Sequence, residues 1–213
     1  MIGKAFRFEF WSVVIGGLCV FALLPITQQA GASPRPKAVI ETGMERVLGF
    51  LRTKCSDGQS VAMRYHRVEI EKIVSEYFDF REMAMRSLGP SWKQQAPDKQ
   101  QEFTQLFKDL IFNTYIDRID TYTCSNEKVT YDDEALDGNH AVVRTRITGY
   151  KGNKDIPLEY RLSLKDNDWK AYDVVIEGVS LVNNYRQQFA SILNRESFEG
   201  LLKRMRDKNT EFK

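Results

Sequence analysis

The chain reads as an α+β protein in which helices pack on an antiparallel four-stranded sheet. Three observations give that class. Apolar residues recur at spacings of three and four from about Val39 to Tyr122. Between Val129 and Ile176 the period becomes two, in four runs divided by turn sequences at Asp137-Gly138-Asn139, Gly152-Asn153 and Asp166-Asn167. Within Trp169–Phe189 a strand rich in aromatic and β-branched residues hands over, across Gly178, to a helix that Ser180 is placed to cap.

The first 32 residues differ from the remainder of the chain. Lys4 and Arg7 precede the apolar run Trp11–Leu24, and Ala30-Gly31-Ala32 has the small-residue pattern of a signal-peptidase site. The run is shorter than the roughly 20 residues that span a bilayer. A cleavable signal peptide over 1–32 is expected, followed by a single domain over 33–213 in an exported, periplasmic protein. Leu18 before Cys19 lacks the small side chain that a lipidation site needs. Lys4, Arg7 and Glu9 carry a net +1 of the chain's +2, so the exported part is close to neutral. With acidic and basic residues interspersed, nothing points to nucleic acid.

Two cysteines remain in the exported part, Cys55 and Cys124. An oxidising compartment favours their pairing, and the other reading is two free or buried thiols. Together with His66 and His140 they show no zinc spacing, and no metal site is expected.

The first helix is defined by Val39, Met44, Val47, Leu48 and Leu51, which share one side of a segment ending near Lys54; Ser56–Ser60 form a loop. A second helix is expected over Arg64–Phe78. Asp79 can cap a short helix that Gly89-Pro90 stops, and the longest helix runs from Lys99 to about Tyr122 with an aromatic stripe that includes Phe103 and Phe107. After the meander and its adjoining helix, a last helix covers about Ser197–Lys208. Helices on one face of such a sheet either close a solid core or leave a cavity, and periodicity does not decide between them.

Two motifs carry a resemblance. The first comprises Asp79-Phe80, Leu88-Gly89, Trp92, Gln100, Phe103, Phe107 and Thr114-Tyr115. The second comprises Trp169, Asp173, Val174, Gly178, Ser180, Tyr185-Arg186 and Phe189. In this order and with a meander between them, they resemble the MlaC / toluene-tolerance (Ttg2-type) family of periplasmic phospholipid-binding proteins, over nearly all of Lys37–Met205. The resemblance implies a nuclear-transport-factor-like cone with extra helices and an apolar cavity. It implies a carrier rather than an enzyme, without a cofactor. The cargo would be a glycerophospholipid held by its acyl chains. Its partners would be an inner-membrane ABC transporter complex with its lipid-binding domain and an outer-membrane lipoprotein–porin complex, and its role would be to maintain outer-membrane lipid asymmetry. Cys55 and Cys124 are not part of the family pattern.

Physics fits such a carrier. Exposing a methylene costs about 0.8 kcal/mol, so two acyl chains with ~30 methylenes cost on the order of 24 kcal/mol in water. The residues expected to line the cavity are Phe80, Met83, Leu106, Leu110 and Tyr185 from helices. From strands they are Val143, Ile147, Leu158, Tyr160, Leu162, Tyr172, Val174 and Ile176; core packing is the other reading for each. Arg81 and Arg186 are candidates for a phosphate contact or for surface ion pairs. Asp173, on an otherwise apolar strand, is expected to accept hydrogen bonds from a buried neighbour. Three other readings stand beside the carrier: a hopanoid or other polycyclic-lipid carrier, an adaptor whose pocket its own side chains fill, and a small enzyme using Asp173 or Asp79 with Tyr160 or Tyr172.

Overall fold

The structure is a computed structural model that describes residues 34–55, 61–119, 121–122, 127–150 and 154–211. The expected signal peptide and Cys124 lie outside the described residues.

Helix α1 (Pro36–Arg52) starts on a proline in its first turn, where the missing N–H costs nothing. A two-residue strand, β1 (Val61–Ala62), pairs with β2 (Thr121–Tyr122). This ladder takes the residues that the periodicity places at the end of the longest helix; α4 therefore runs Pro97–Ile119. Helix α2 is shorter than expected, Arg67–Ser75, behind a 3-10 turn at Met63–His66. Helix α3 (Phe80–Leu88) opens with Asp79 accepting from the Glu82 amide at 2.8 Å, and closes at Gly89, whose φ of 63° disfavours any side chain.

The meander comprises β3 (Lys128–Asp137), β4 (His140–Tyr150), β5 (Lys154–Lys165) and β6 (Asp168–Ile176). The two-residue β7 (Val179–Ser180) makes it an open five-stranded antiparallel sheet in sequence order. Asp166 and Asn167, both at positive φ, turn β5 into β6. Ser180 then caps α5 (Leu181–Leu193), accepting from the Asn183 amide at 3.0 Å, and Ser197 caps α6 (Phe198–Thr210) in the same way.

Helices dock on the sheet through a short extended link. The Ala171 amide donates to the Tyr77 carbonyl and the Asp79 amide to the Ala171 carbonyl, each at 2.9 Å. Lys165 Nζ then reaches Asp79 at 2.9 Å and Glu82 at 2.8 Å, fixing α3 against the end of β5. Two cores result. One is helical, and its centre is a set of rings: Phe107 meets Tyr185 at 5.2 Å between centroids, and Phe103 meets Phe189 at 5.4 Å. The other lies on the sheet's inner face around Val143, Leu162, Trp169 and Ala171. Cys55 is disulfide-bonded.

Candidate functional site: an apolar cavity where the two cores meet

Between the helical core and the sheet core lies a cavity of about 460 Å³. Helix α1 forms one wall with Ile40, Met44, Val47, Leu48 and Leu51, and α2 adds Ile70 and Val74. Phe80 and Met83 enter from α3, and Ile111, Phe112 and Tyr115 from α4. The sheet contributes Ile147, Ile156, Leu158, Tyr160, Val174 and Ile176. Gly43, Tyr77, Phe78 and Leu181 also line it, together with two carboxylates, Glu127 and the exposed Glu177.

Local chemistry holds these walls in place. Arg46 on α1 pairs with Glu76 and donates to the Tyr77 hydroxyl at 2.9 Å, which ties α1 to the end of α2. Gly43 faces the Tyr77 ring so closely that a Cβ there would stand 3.0 Å from it. The absence of a side chain at that position lets the helix wall approach without the ring having to yield. Tyr160 is buried, with its hydroxyl 3.6 Å from Met44 Sδ. Burial pushes its pKa above the ordinary tyrosine value, so the group stays neutral at physiological pH.

Of the residues that the sequence nominates, Phe80, Met83, Ile147, Leu158, Tyr160, Val174 and Ile176 stand together in this lining. The other six stand elsewhere, each for a physical reason. Val143 and Leu162 are on the inner face of the sheet but have no exposure, because they are packed into the solid sheet core with Val39 and Ile40 of α1, Trp169 and Ala171. Leu106 and Leu110 belong to the helical core, since α4 turns its Ile111–Tyr115 side to the cavity. Tyr185 is held in the aromatic cluster with Phe107 and Phe189.

Tyr172 is displaced by a bulge. Arg161 pairs with Asp173 but Leu162 pairs with Ala171, so Tyr172 is the extra residue and leaves the inner face. It stacks instead beneath the Arg86 guanidinium at 4.1 Å. Arg81 lies over Trp92 and donates to Gln100, away from the cavity. Sequence reasoning missed the lining residues of α1 and α2, Ile111, Phe112 and Tyr115 of α4, and Ile156 of β5; for α1 the stripe at Val39–Leu51 was the available signal.

Asp79 and Asp173, the acids an enzyme reading would use, do not line the cavity. Asp79 caps α3 and pairs with Lys165. Asp173 accepts from Ser180 Oγ at 2.6 Å, the Val182 amide at 3.0 Å and Arg161 at 3.3 Å.

A cavity walled by alkyl and aromatic groups, with a neutral hydroxyl inside, suits hydrocarbon. Sequence comparison reaches the same place: the MlaC protein family profile matches residues 43–207. The chain belongs to the MlaC family. It is 22% identical over 184 residues to the intermembrane phospholipid transport system binding protein MlaC of Haemophilus influenzae, covering 84% of this chain and 85% of that one. It is 24% identical over 182 residues to the toluene tolerance protein ttg2D of Pseudomonas putida, with 84% and 82% covered. Among solved structures, the phospholipid-binding protein of Ralstonia solanacearum in complex with a phospholipid superposes with a TM-score of 0.71 at 26% identity. That alignment covers 84% of this chain and 99% of that one. The MlaC fold expected from the two motifs, helices packed on an antiparallel sheet, is the fold observed.

Proposed function

We propose that this protein is a periplasmic phospholipid carrier that holds acyl chains in the cavity between α1 and the sheet and leaves the head group outside. The observation that carries this reading is the cavity itself: about 460 Å³ with walls of alkyl and aromatic side chains. Benzene filling a cavity of about 150 Å³ implies roughly 25–30 Å³ per heavy atom, so this cavity takes about 15–18 heavy atoms. That is one acyl chain of ordinary membrane length. A second chain requires α1 to stand further from the sheet, and α1 is the wall with the smallest closing residue, Gly43.

The membership in a family with named phospholipid-transport members supports the cargo class. Export by a signal peptide over 1–32, a single domain over 33–213, and exchange with an inner-membrane ABC transporter complex and an outer-membrane lipoprotein–porin complex belong to the same proposal. The disulfide of Cys55 is assigned to Cys124. The β1–β2 ladder supports that pairing, because it brings residues 61–62 beside residues 121–122.

Native mass spectrometry of protein purified from a bacterial periplasm tests the carrier reading. A co-purified mass matching a two-chain glycerophospholipid is expected. A mass matching a polycyclic lipid would replace the cargo, and a ligand-free mass that persists after incubation with phospholipid vesicles would sink the carrier.

A further inference from the structure

A second concavity lies across α3 from the cavity. Phe80 and Met83 face the cavity, whereas Glu82 and Arg86 of the same helix face a groove of about 540 Å³. Its other walls are the bulge of β6, the first turns of α5 and the 3-10 turn at Gly89–Gln94. Four cations line it, Arg86, Lys93, Arg161 and Arg186, against two anions, Glu82 and Asp173.

Both anions are spent inside the protein. Glu82 pairs with Arg86 at 2.8 Å and with Lys165 at 2.8 Å. Asp173 is taken by Arg161, Ser180 and the Val182 amide. Among the described residues, Lys93 and Arg186 have no ion pair, and both are exposed. Arg186 is nonetheless placed, with Nε within 3.4 Å of where a Cβ on Gly89 would stand. Between these cations Tyr172, turned out by the bulge, provides a flat floor that already stacks one guanidinium.

We infer that this groove is a docking surface for a short acidic segment of a protein partner. At roughly 25–30 Å³ per heavy atom, its volume takes about 18–22 heavy atoms, or two to three amino-acid residues. The floor residues Tyr172 and Asp173 are recessed, so a planar bilayer meets only the rim at Lys93 and Arg186. An extended chain with two carboxylates can meet both rim cations while its backbone lies over the Tyr172 ring. The inference concerns a face of the protein other than the cavity, and it fails or stands separately from the lipid reading.

The test is an amide chemical-shift titration of the protein with a seven-residue peptide carrying three central acidic residues between glycines and serines. Its amide counterpart and vesicles rich in phosphatidylglycerol are run beside it. Shifts confined to residues 86–93, 172–173 and 180–186, weakened by salt and absent with the amide peptide, are expected. The double variant Lys93→Glu, Arg186→Glu is expected to weaken the peptide by at least about ten-fold while keeping the remaining spectrum and the retained lipid unchanged. Shifts scattered over the surface, or an undiminished affinity in the double variant, overturn the inference. Vesicle binding through these residues without peptide binding also overturns it, in favour of a lipid surface.

Discussion

Asp173 Oδ2 accepts a 2.6 Å hydrogen bond from Ser180 Oγ, while the same hydroxyl accepts from the Asn183 amide at 3.0 Å. The carboxylate, buried at 3% exposure, also takes the Val182 amide. One acid on β6 thus orients the cap of α5 and satisfies one of its first free amides. Asp173→Ala removes these acceptors at once and is expected to cost roughly 2–4 kcal/mol. Urea unfolding measures it. A loss near zero would mean that water replaces the carboxylate and that the β6–α5 joint stands without it.

Residues on the two sides of the cavity boundary should respond differently. Leu162 has no exposure and lies in solid core, so Leu162→Asp is expected to abolish folding, and Leu162→Ala to cost about 2–5 kcal/mol with lipid retained per folded molecule. Leu48 is half-buried on the α1 wall, and Leu48→Asp is expected to keep the fold while losing the lipid. Circular dichroism beside lipid extraction separates the outcomes. Retained lipid in folded Leu48→Asp would contradict the assigned wall.

Gly43 sets how close α1 comes to Tyr77. Gly43→Ala puts a methyl 3.0 Å from the ring and forces the wall outward, an overpacking cost of about 1–3 kcal/mol. Thermal melting reports the loss. The same variant is expected to release lipid faster, and an unchanged release rate would show that α1 is not the moving wall.

Alkaline pH should destabilise the protein through its inner tyrosines. Burial raises both hydroxyl pKa values, Tyr131 to about 12 and Tyr160 in the same direction. Unfolded tyrosine titrates near 10. The folded state therefore holds protons that the unfolded state gives up. Its stability is fully present below about pH 10 and is lost as pH rises through the folded values. In urea midpoints taken between about pH 8 and 11, Tyr160→Phe is expected to flatten the decline. An equal slope in the variant would remove Tyr160 as a source.

The proposed Cys55–Cys124 bridge closes a loop of about 70 residues, which the chain-entropy account values at about 4 kcal/mol. Peptide mapping without reductant should recover the two cysteines together, and reduction should lower the melting temperature by several degrees. A Cys55 peptide joined to Cys19 would contradict the pairing and the expected cleavage after Ala32.

Much of the fold was legible because local chemistry and period agree. The Asp79 and Ser180 caps and the Asp166-Asn167 turn use residues whose side chains or positive φ tolerance belong at those positions. Half of the cavity was harder to read. Helix α4 buries Phe103, Phe107, Leu110, Ile111 and Phe112, which wrap around it, so no single face identifies the cavity side. On β6 a strict alternation would place Tyr172 with Val174, and only the pairing with β5 reveals the extra residue between Ala171 and Asp173. The two-residue strands β1, β2 and β7 are too short to carry a period.

The central claim is that acyl chains lie between α1 and the sheet. Site-specific photocrosslinking in a bacterial periplasm tests it most directly, with a benzophenone amino acid placed at Leu48 on the cavity wall and, separately, at Leu106 in the helical core. Phospholipid covalently captured at Leu48 but not at Leu106 is the predicted result. Capture at Leu106 with none at Leu48 would contradict it and move the chains into the helical core.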